Sequence, residues 1–363
     1  RKFIRAIGRG NPAASVIVAG CYAERAPADL AALPNVVAVL PASAKGRVAD
    51  TVVEIAATRP PSSSGEAVEQ NSFRARAYLK VQDGCDNRCA FCVIPSVRGR
   101  SVSVPPDDVA AAVRSMTGRG FREIVLAGIH LASYGRDLEP RRTLLGLLRK
   151  IGEVESAARL RLSSLDPNLV DDALVATIAE EGNICRHFHL SIQHASERVL
   201  RLMGRRGDAG TYDRILGELR RLSPDAALGA DVIVGFPGET ESDFDELRGF
   251  LEGSPLTYFH VFSYSPRPGT PAASRPRIAD GVVTARARTL RRLSAGKDFR
   301  FRRRFIGREL EAVVIARSEQ GAEVLTDNGL RVAVPFSPVT KRELVRVAVG
   351  RVLPRRTEGE VVR

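Results

Sequence analysis

The sequence predicts an α/β protein with three parts: a small α/β segment, a parallel core forming an open, partial barrel of six strand–helix units, and a small all-β barrel at the end. Between about 73 and 268, six short apolar runs alternate with amphipathic helical patterns, the rhythm of a parallel sheet. A Pro-, Ser- and Gly-rich stretch at 59–71 separates them from what precedes. Beyond 306, short strands divided by Gly, Asn or Pro suit a barrel of about sixty residues. The expected boundaries are 1–57, a linker at 58–72, the core at 73–270, an Arg-rich helical connector at 271–305 and the barrel at 306–363.

The first segment reads as helix from its opening residues, then strand at 16–19, helix at 27–33 and strand at 36–40. Core strands are expected at 77–81, 123–127, 160–164, 188–192, 230–234 and 258–262. Helices fill the gaps at 106–116, 144–151, 170–178, 211–222 and 241–251. Six such units suit an open barrel rather than a closed eight-fold one, and ligands of such sheets gather at the carboxyl ends of the strands. An Arg-rich helix at 282–305 leads into strands at 310–316, 322–325, 331–334 and 345–352. Phe299, Phe301 and Phe305 alternate with Arg on that helix. They suit either stacking on nucleic acid or docking against the barrel under a solvated basic face.

The run Gly84-Cys85-Asp86-Asn87-Arg88-Cys89-Ala90-Phe91-Cys92 carries the chemistry. Three thiolates can hold three irons of a four-iron cluster and leave the fourth open to a substrate or cofactor. A structural zinc site is the competing reading, but it closes with four ligands and tends to pair two Cys-x-x-Cys knuckles. Only Cys21 and Cys185 remain, and neither brings a knuckle, so a distant His would have to complete such a site. The five His residues show no metal spacing, and Cys185, between Ile184 and Phe188, reads as an ordinary buried thiol.

Five cysteines in 363 residues is a sparse, odd count that speaks for a reducing compartment and against a disulfide framework. No apolar run approaches the roughly 18 residues that span a bilayer, and no signal-peptide core follows Arg1. A cytoplasmic protein without membrane attachment is expected. The formal charge of +13 and pI near 10.1 favour a polyanionic partner, although an Arg-rich composition contributes to both.

Cys85-x-x-x-Cys89-x-Phe91-Cys92 resembles the signature of radical S-adenosylmethionine enzymes, in which the methionine amine and carboxylate chelate the open iron. Gly20-Cys21-Tyr22-Ala23 resembles the third cysteine motif of the methylthiotransferase N-terminal domain. Further motifs follow that family in order: Arg98-Gly99-Arg100, Gly128-Ile129-His130, His189-Leu190-Ser191-Ile192-Gln193, Met203-Gly204-Arg205, Asp231 through Glu241, Phe262-Ser263-Tyr264-Ser265 and Gly269-Thr270-Pro271-Ala272. The resemblance spans essentially the whole chain and implies a radical-SAM partial barrel with a TRAM-like, RNA-gripping terminal barrel.

That resemblance implies two 4Fe-4S clusters in an intact member, with S-adenosyl-L-methionine as cofactor. Cys85, Cys89 and Cys92 would hold the cofactor-binding cluster, and Cys21 would be one of three ligands of an auxiliary cluster. The chain starts with Arg rather than Met and reads as lacking its natural start, where the other two auxiliary cysteines belong. The second cluster is therefore not expected to be held properly. Phe91, Gly128, Ser163, Ser164, Gln193, Arg205, Asp231 and Gly235 are the expected cofactor-site residues. Gln193-His194-Ala195-Ser196 departs from the family's Gln-Ser-Gly-Ser.

Gly128-Ile129-His130-Leu131-Ala132-Ser133-Tyr134-Gly135 is similar to the branch that acts on N6-threonylcarbamoyladenosine beside the tRNA anticodon. Isopentenyladenosine in tRNA and a ribosomal protein are the substrates of the other branches. The implied reaction is radical C–H sulfur insertion at C2 of the adenine, followed by methylation, with tRNA as partner, flavodoxin or ferredoxin as electron donor and an unknown sulfur source. A non-catalytic zinc-stabilised RNA-binding protein is the alternative from another class, and it leaves six strand–helix units idle.

Overall fold

The computed structural model describes residues 1–57, 74–154, 156, 158–335 and 339–362; the linker expected at 58–72 lies outside them. The chain divides into two compact units. One comprises Arg1–Ser72 with Gly84–Asp86 and Val93–Arg100, the other Phe73–Asp83, Asn87–Cys92 and Ser101–Arg363.

In the first unit, strands β1 (Val16–Ala19) and β2 (Val36–Leu40) pair in parallel. Helices Lys2–Gly10, Cys21–Arg25 and Pro27–Ala31 accompany them, and Ile4, Ala23, Leu30 and Leu33 form a small core. Gly20 has φ +119°, so the chain leaves β1 through a conformation that side chains disfavour and places Cys21 at the start of the next helix.

All six expected core strands are present in the second unit, and all six are parallel. β3 (Ala77–Asp83) pairs with β5 (Glu123–Gly128), which pairs with β6 (Arg159–Leu162); the two-residue β4 (Val102–Ser103), which the sequence reading missed, adds antiparallel to β3. β7 (His187–Gln193), β8 (Ala227–Val234) and β9 (Tyr258–Ser263) form a separate parallel sheet. Among the described residues, the isolated parallel bridges Leu160↔Ile184 and Leu165↔Leu190 join the edges of the two sheets.

Period-two alternation sorts each strand's faces. Phe188, Leu190 and Ile192 of β7 join Leu228, Ala230 and Val232 of β8 and Phe259 of β9 in the large core. Tyr212, Ile215 and Leu219 of helix Ala209–Leu222 and Phe244 and Leu247 of helix Glu241–Gly253 share that core. The latter helix starts on a reciprocal capping box between Thr240 and Asp243, which satisfies two of its otherwise orphan amides. The opposite faces of β7, β8 and β9 carry His187, His189, Gln193, Asp231 and His260.

Helix Asp280–Arg303 leads into β10 (Glu309–Ser318), β11 (Gly321–Thr326), β12 (Arg331–Pro335), β13 (Leu344–Leu353) and β14 (Arg356–Val362), a closed barrel in the order β10-β11-β12-β14-β13. The sequence reading contained four of these strands, and β14 completes the closure. Phe301 and Phe305 are buried in the barrel core 5.1 Å apart, so docking, not nucleic-acid stacking, accounts for both. Phe299 instead lies under the guanidinium groups of Arg302 and Arg303.

The barrel packs at the amino ends of the core strands. Glu123, the first residue of β5, is fully buried and accepts from Arg159 (2.9 Å) and Arg161 (2.8 Å) of β6. Those guanidiniums also donate to the carbonyls of Leu325 (2.7 Å) and Thr326 (2.9 Å) at the end of β11. This polar lock occupies one end of the strands and leaves the chemistry to the other.

Candidate active site

The cysteine loop leaves the carboxyl end of β3. Gly84 has φ +69°, and a Cβ there would lie 1.9 Å from the Arg100 carbonyl oxygen, so only glycine fits. The Cys85 amide donates to Gly99 O at 3.2 Å within the first unit. In the second unit, the Cys92 amide donates to Cys89 O (3.1 Å), and the next strap is Ala90 N–H to Met203 O at 2.8 Å. The Ala272 amide grips Ala90 O from the other side at 2.9 Å, and a Cβ on Gly204 would come within 3.1 Å of Arg88 O. Met203-Gly204 and Ala272 thus clamp the loop backbone between the second and third thiols' approaches.

Cys89 is buried, and burial pushes its thiol pKa up against the opposing charge of Arg205, whose Nη1 lies 3.9 Å from Sγ. Arg205 Nη2 donates to Ser191 O at 2.8 Å and pairs with Asp166 Oδ2 at 3.1 Å. Burial raises the Asp166 pKa, but hydrogen bonds from His130 and Asn168 and the Arg205 charge prevail and hold it at about 2. His130 Nε2 lies 3.2 Å from Asp166 Oδ2 and 3.3 Å from Asn87 Nδ2 of the cysteine loop. Asp166 was not among the residues expected at the site, and a loop acid carries no sequence signal until the fold brings it beside Arg205.

Phe91, Gln193 and Asp231 line one cavity of about 240 Å³ with Ile233, Phe262 and Tyr264. Phe91 stands edge-on to Phe236, with ring centroids 6.4 Å apart. Gln193, the last residue of β7, has φ +70°, a left-handed conformation uncommon for a residue with a side chain. Gly128 is crowded, since a Cβ would meet Gln82 Oε1 and Leu131 Cα at 3.0 Å. Ser163 Oγ accepts from the Gly128 amide at 3.3 Å, while Ser164 Oγ lies 2.9 Å from His189 Nδ1. The Gly235 and Phe236 amides donate to Glu239 Oε2 at 2.7 and 3.2 Å, so an internal carboxylate takes up the amides of that turn.

Cys21 accepts from Arg98 Nε at 2.8 Å within the first unit. Cys185 is buried beside Glu123, and burial pushes its pKa up to about 12, which makes it a poor thiolate ligand. None of the five cysteines is in a disulfide. Three soft donors on one glycine-started loop, with a cation at the middle donor, fit an iron–sulfur cluster better than they fit any hard cation. One grouping escaped the sequence reading: His189, Asp231 and His260, from three adjacent strands, bring possible ligand atoms within 4.8 Å of one another.

Residues 79–251 match the Radical SAM superfamily, so the parallel core with its strand-end cysteine loop is a radical S-adenosylmethionine enzyme fold. The chain is 32% identical over 361 residues to threonylcarbamoyladenosine tRNA methylthiotransferase MtaB of Rickettsia prowazekii, covering 96% of this chain and 85% of that one. It is 35% identical to the protein of the same name from Aquifex aeolicus, with coverage of 90% and 82%. Ribosomal protein uS12 methylthiotransferase RimO of Anaeromyxobacter matches at 35%, with coverage of 90% and 71%. The chain belongs to the radical S-adenosylmethionine methylthiotransferase family. The cofactors of this enzyme class are a 4Fe-4S cluster and S-adenosylmethionine. Among the described residues, no helix is long and apolar enough to cross a membrane.

Proposed function

We propose that this protein converts N6-threonylcarbamoyladenosine beside the tRNA anticodon to its 2-methylthio derivative. The observation that carries the reading is the position of His130, within the branch motif, against Asn87 of the cysteine loop and Asp166 beyond β6. Relatives named for this activity at 32% and 35% identity support it.

In this reading Cys85, Cys89 and Cys92 would hold the cluster, and Cys21 would be one of the three ligands that an auxiliary cluster needs. When bound, the cluster and S-adenosylmethionine supply one-electron cleavage and a hydrogen-abstracting radical. Arg205 holds positive charge at Cys89 and favours its thiolate. Phe91, Gln193, Asp231 and Gly235 border the cofactor, with Gly128 and its partner Ser163 fixing the β5 and β6 strand ends and Ser164 acting through His189. The first 57 residues act as the methylthiotransferase segment, 73–270 as a six-fold partial barrel and 306–363 as a TRAM-like RNA-binding barrel. The surplus of 55 basic over 42 acidic side chains suits a tRNA partner. The setting is cytoplasmic, with flavodoxin or ferredoxin as reductant.

A ribosomal-protein substrate is the second reading, favoured by the equally high identity to relatives of that name. The deciding experiment incubates the anaerobically reconstituted protein and S-adenosylmethionine with three substrates in parallel: tRNA bearing N6-threonylcarbamoyladenosine, tRNA bearing isopentenyladenosine and ribosomal protein uS12. Mass spectrometry of nucleosides and peptides should find methylthiolation in the first alone. Methylthiolated uS12 and unchanged tRNA would overturn the proposal.

A further inference from the structure

We infer that His189, Asp231 and His260 form a divalent-cation site on the face of the β7-β8-β9 sheet opposite its helices, away from the cysteine loop but sharing Asp231 with the proposed cofactor pocket. Asp231 and His260 are register partners on β8 and β9, and His189 is the register partner of Gly229 on β8. Gly229 makes room for the ring: a Cβ there would lie 2.7 Å from His189 Cδ2 and 2.4 Å from the Tyr258 ring. The imidazole therefore leans over β8 toward Asp231.

His189 Nε2 lies 3.6 Å from an Asp231 carboxylate oxygen, and His260 Nδ1 lies 3.2 Å from the same carboxylate. Ligand bonds of about 2.0–2.2 Å at tetrahedral angles give ligand–ligand edges of about 3.3 Å. The two distances to Asp231 are thus close to the edges of a coordination shell, and all three ligand atoms lie within 4.8 Å of one another. His189 supplies the independent sign of a missing ligand: its side chain is only 8% exposed, and Nε2 is buried with no hydrogen-bond partner. Its other nitrogen lies 2.9 Å from Ser164 Oγ; in the tautomer whose Nδ1–H donates to that hydroxyl, this outer contact orients the ring and leaves Nε2 its lone pair. Buried polar atoms are nearly always satisfied, whereas this one has the Asp231 carboxylate only at 3.6 Å, beyond hydrogen-bond distance.

Two imidazoles and one carboxylate suit Zn²⁺, Fe²⁺ or Co²⁺ rather than Mg²⁺ or Ca²⁺. Three protein ligands leave at least one position open, the pattern of a reactive rather than a structural site. His260 is 57% exposed on its side chain, and Asp231 also lines the cavity with Phe91 and Gln193. An oxygen or nitrogen of a molecule in that cavity could complete the shell.

The test uses the full chain with Cys21, Cys85, Cys89 and Cys92 replaced by Ser, so that thiolates do not compete, titrated with Zn²⁺ and examined by X-ray absorption. One Zn²⁺ per chain with a purely N/O shell containing two imidazoles is expected. His260→Ala should weaken binding by at least about 10-fold, and Ser164→Ala, which leaves all three ligands in place, by about 10-fold. His260 is exposed, so its variant keeps the fold, and thermal melting checks that. No retained Zn²⁺, or affinity unchanged by His260→Ala and Asp231→Asn, would overturn the site.

Discussion

Arg205 faces Cys89 while bound to Asp166: Nη1 lies 3.9 Å from the thiol sulfur, and Nη2 lies 3.1 Å from the carboxylate. A buried guanidinium thus joins the cysteine loop to the ends of β6 and β7, with its charge compensated by an acid that stays ionised. Only Arg presents two donor edges at once, one for the sulfur and one for the carboxylate.

Arg205→Ala should therefore impair cluster assembly before it impairs folding. Burial already raises the Cys89 pKa, and removing the opposing cation raises it further, so less thiolate is present near neutral pH. A charge-assisted hydrogen bond of about 1.5–3 kcal/mol implies iron retention weakened by roughly 10-fold or more. Iron per chain after anaerobic reconstitution at several pH values measures this. The deficit should shrink as pH rises, and Arg205→Lys should restore part of it.

Glu123→Gln should release the barrel from the core. It leaves Arg159 and Arg161 buried without their shared anion, a loss on the order of 3–5 kcal/mol. Burial alone would raise the Glu123 pKa, but Arg161, Arg159 and Arg76 lower it from 4.5 to about 2. A depressed carboxylate pKa stabilises the fold fully above pH 4.5, and that contribution disappears as pH falls toward 2. Melting curves of the two proteins should accordingly lie far apart at neutral pH and converge in acid. A constant separation down to pH 2 would contradict this account.

The core strands were legible because each is a short apolar run buried against helices, as Phe188, Leu190 and Ile192 show. β14 was not, because Arg356, Glu358, Gly359 and Glu360 give it the composition of a loop. It is held by pairing: its Gly359 admits the Ala348 carbonyl, which would lie 2.3 Å from any Cβ. Cysteine identity was equally plain in sequence, whereas Asp166 and the His189–Asp231–His260 group were not. Those depend on which residues the parallel register sets side by side, and no local spacing encodes it. The Phe pair at 301 and 305 was ambiguous for the opposite reason, since an aromatic among arginines reads the same whether it meets RNA or a core.

Gly235→Ala should be costly although it adds one methyl group. Its φ of +74° disfavours any Cβ, and that Cβ would lie 2.5 Å from Val283 Cγ2. Together these place the loss at about 1–3 kcal/mol. Combining it with Val283→Ala removes the clash but keeps the backbone strain, so denaturant unfolding should show partial recovery relative to the sum of the two single changes. Complete recovery would mean that the contact alone, not the left-handed backbone, requires glycine.

His130→Asn separates substrate choice from cofactor machinery. The imidazole contacts Asp166, yet Asp166 retains Arg205 and two hydrogen bonds from Asn168 without it, at 3.1 Å from the backbone amide and 2.8 Å from the side chain. Iron content and tRNA-independent cleavage of S-adenosylmethionine should therefore persist in the variant. Methylthiolation of tRNA bearing N6-threonylcarbamoyladenosine should fall by at least about 10-fold, the scale of one lost charged contact. If iron and cofactor cleavage fall in step with tRNA modification, His130 acts by holding Asp166 and Arg205 in place. If they hold while modification falls, it meets the nucleoside, and the branch motif reports recognition rather than support.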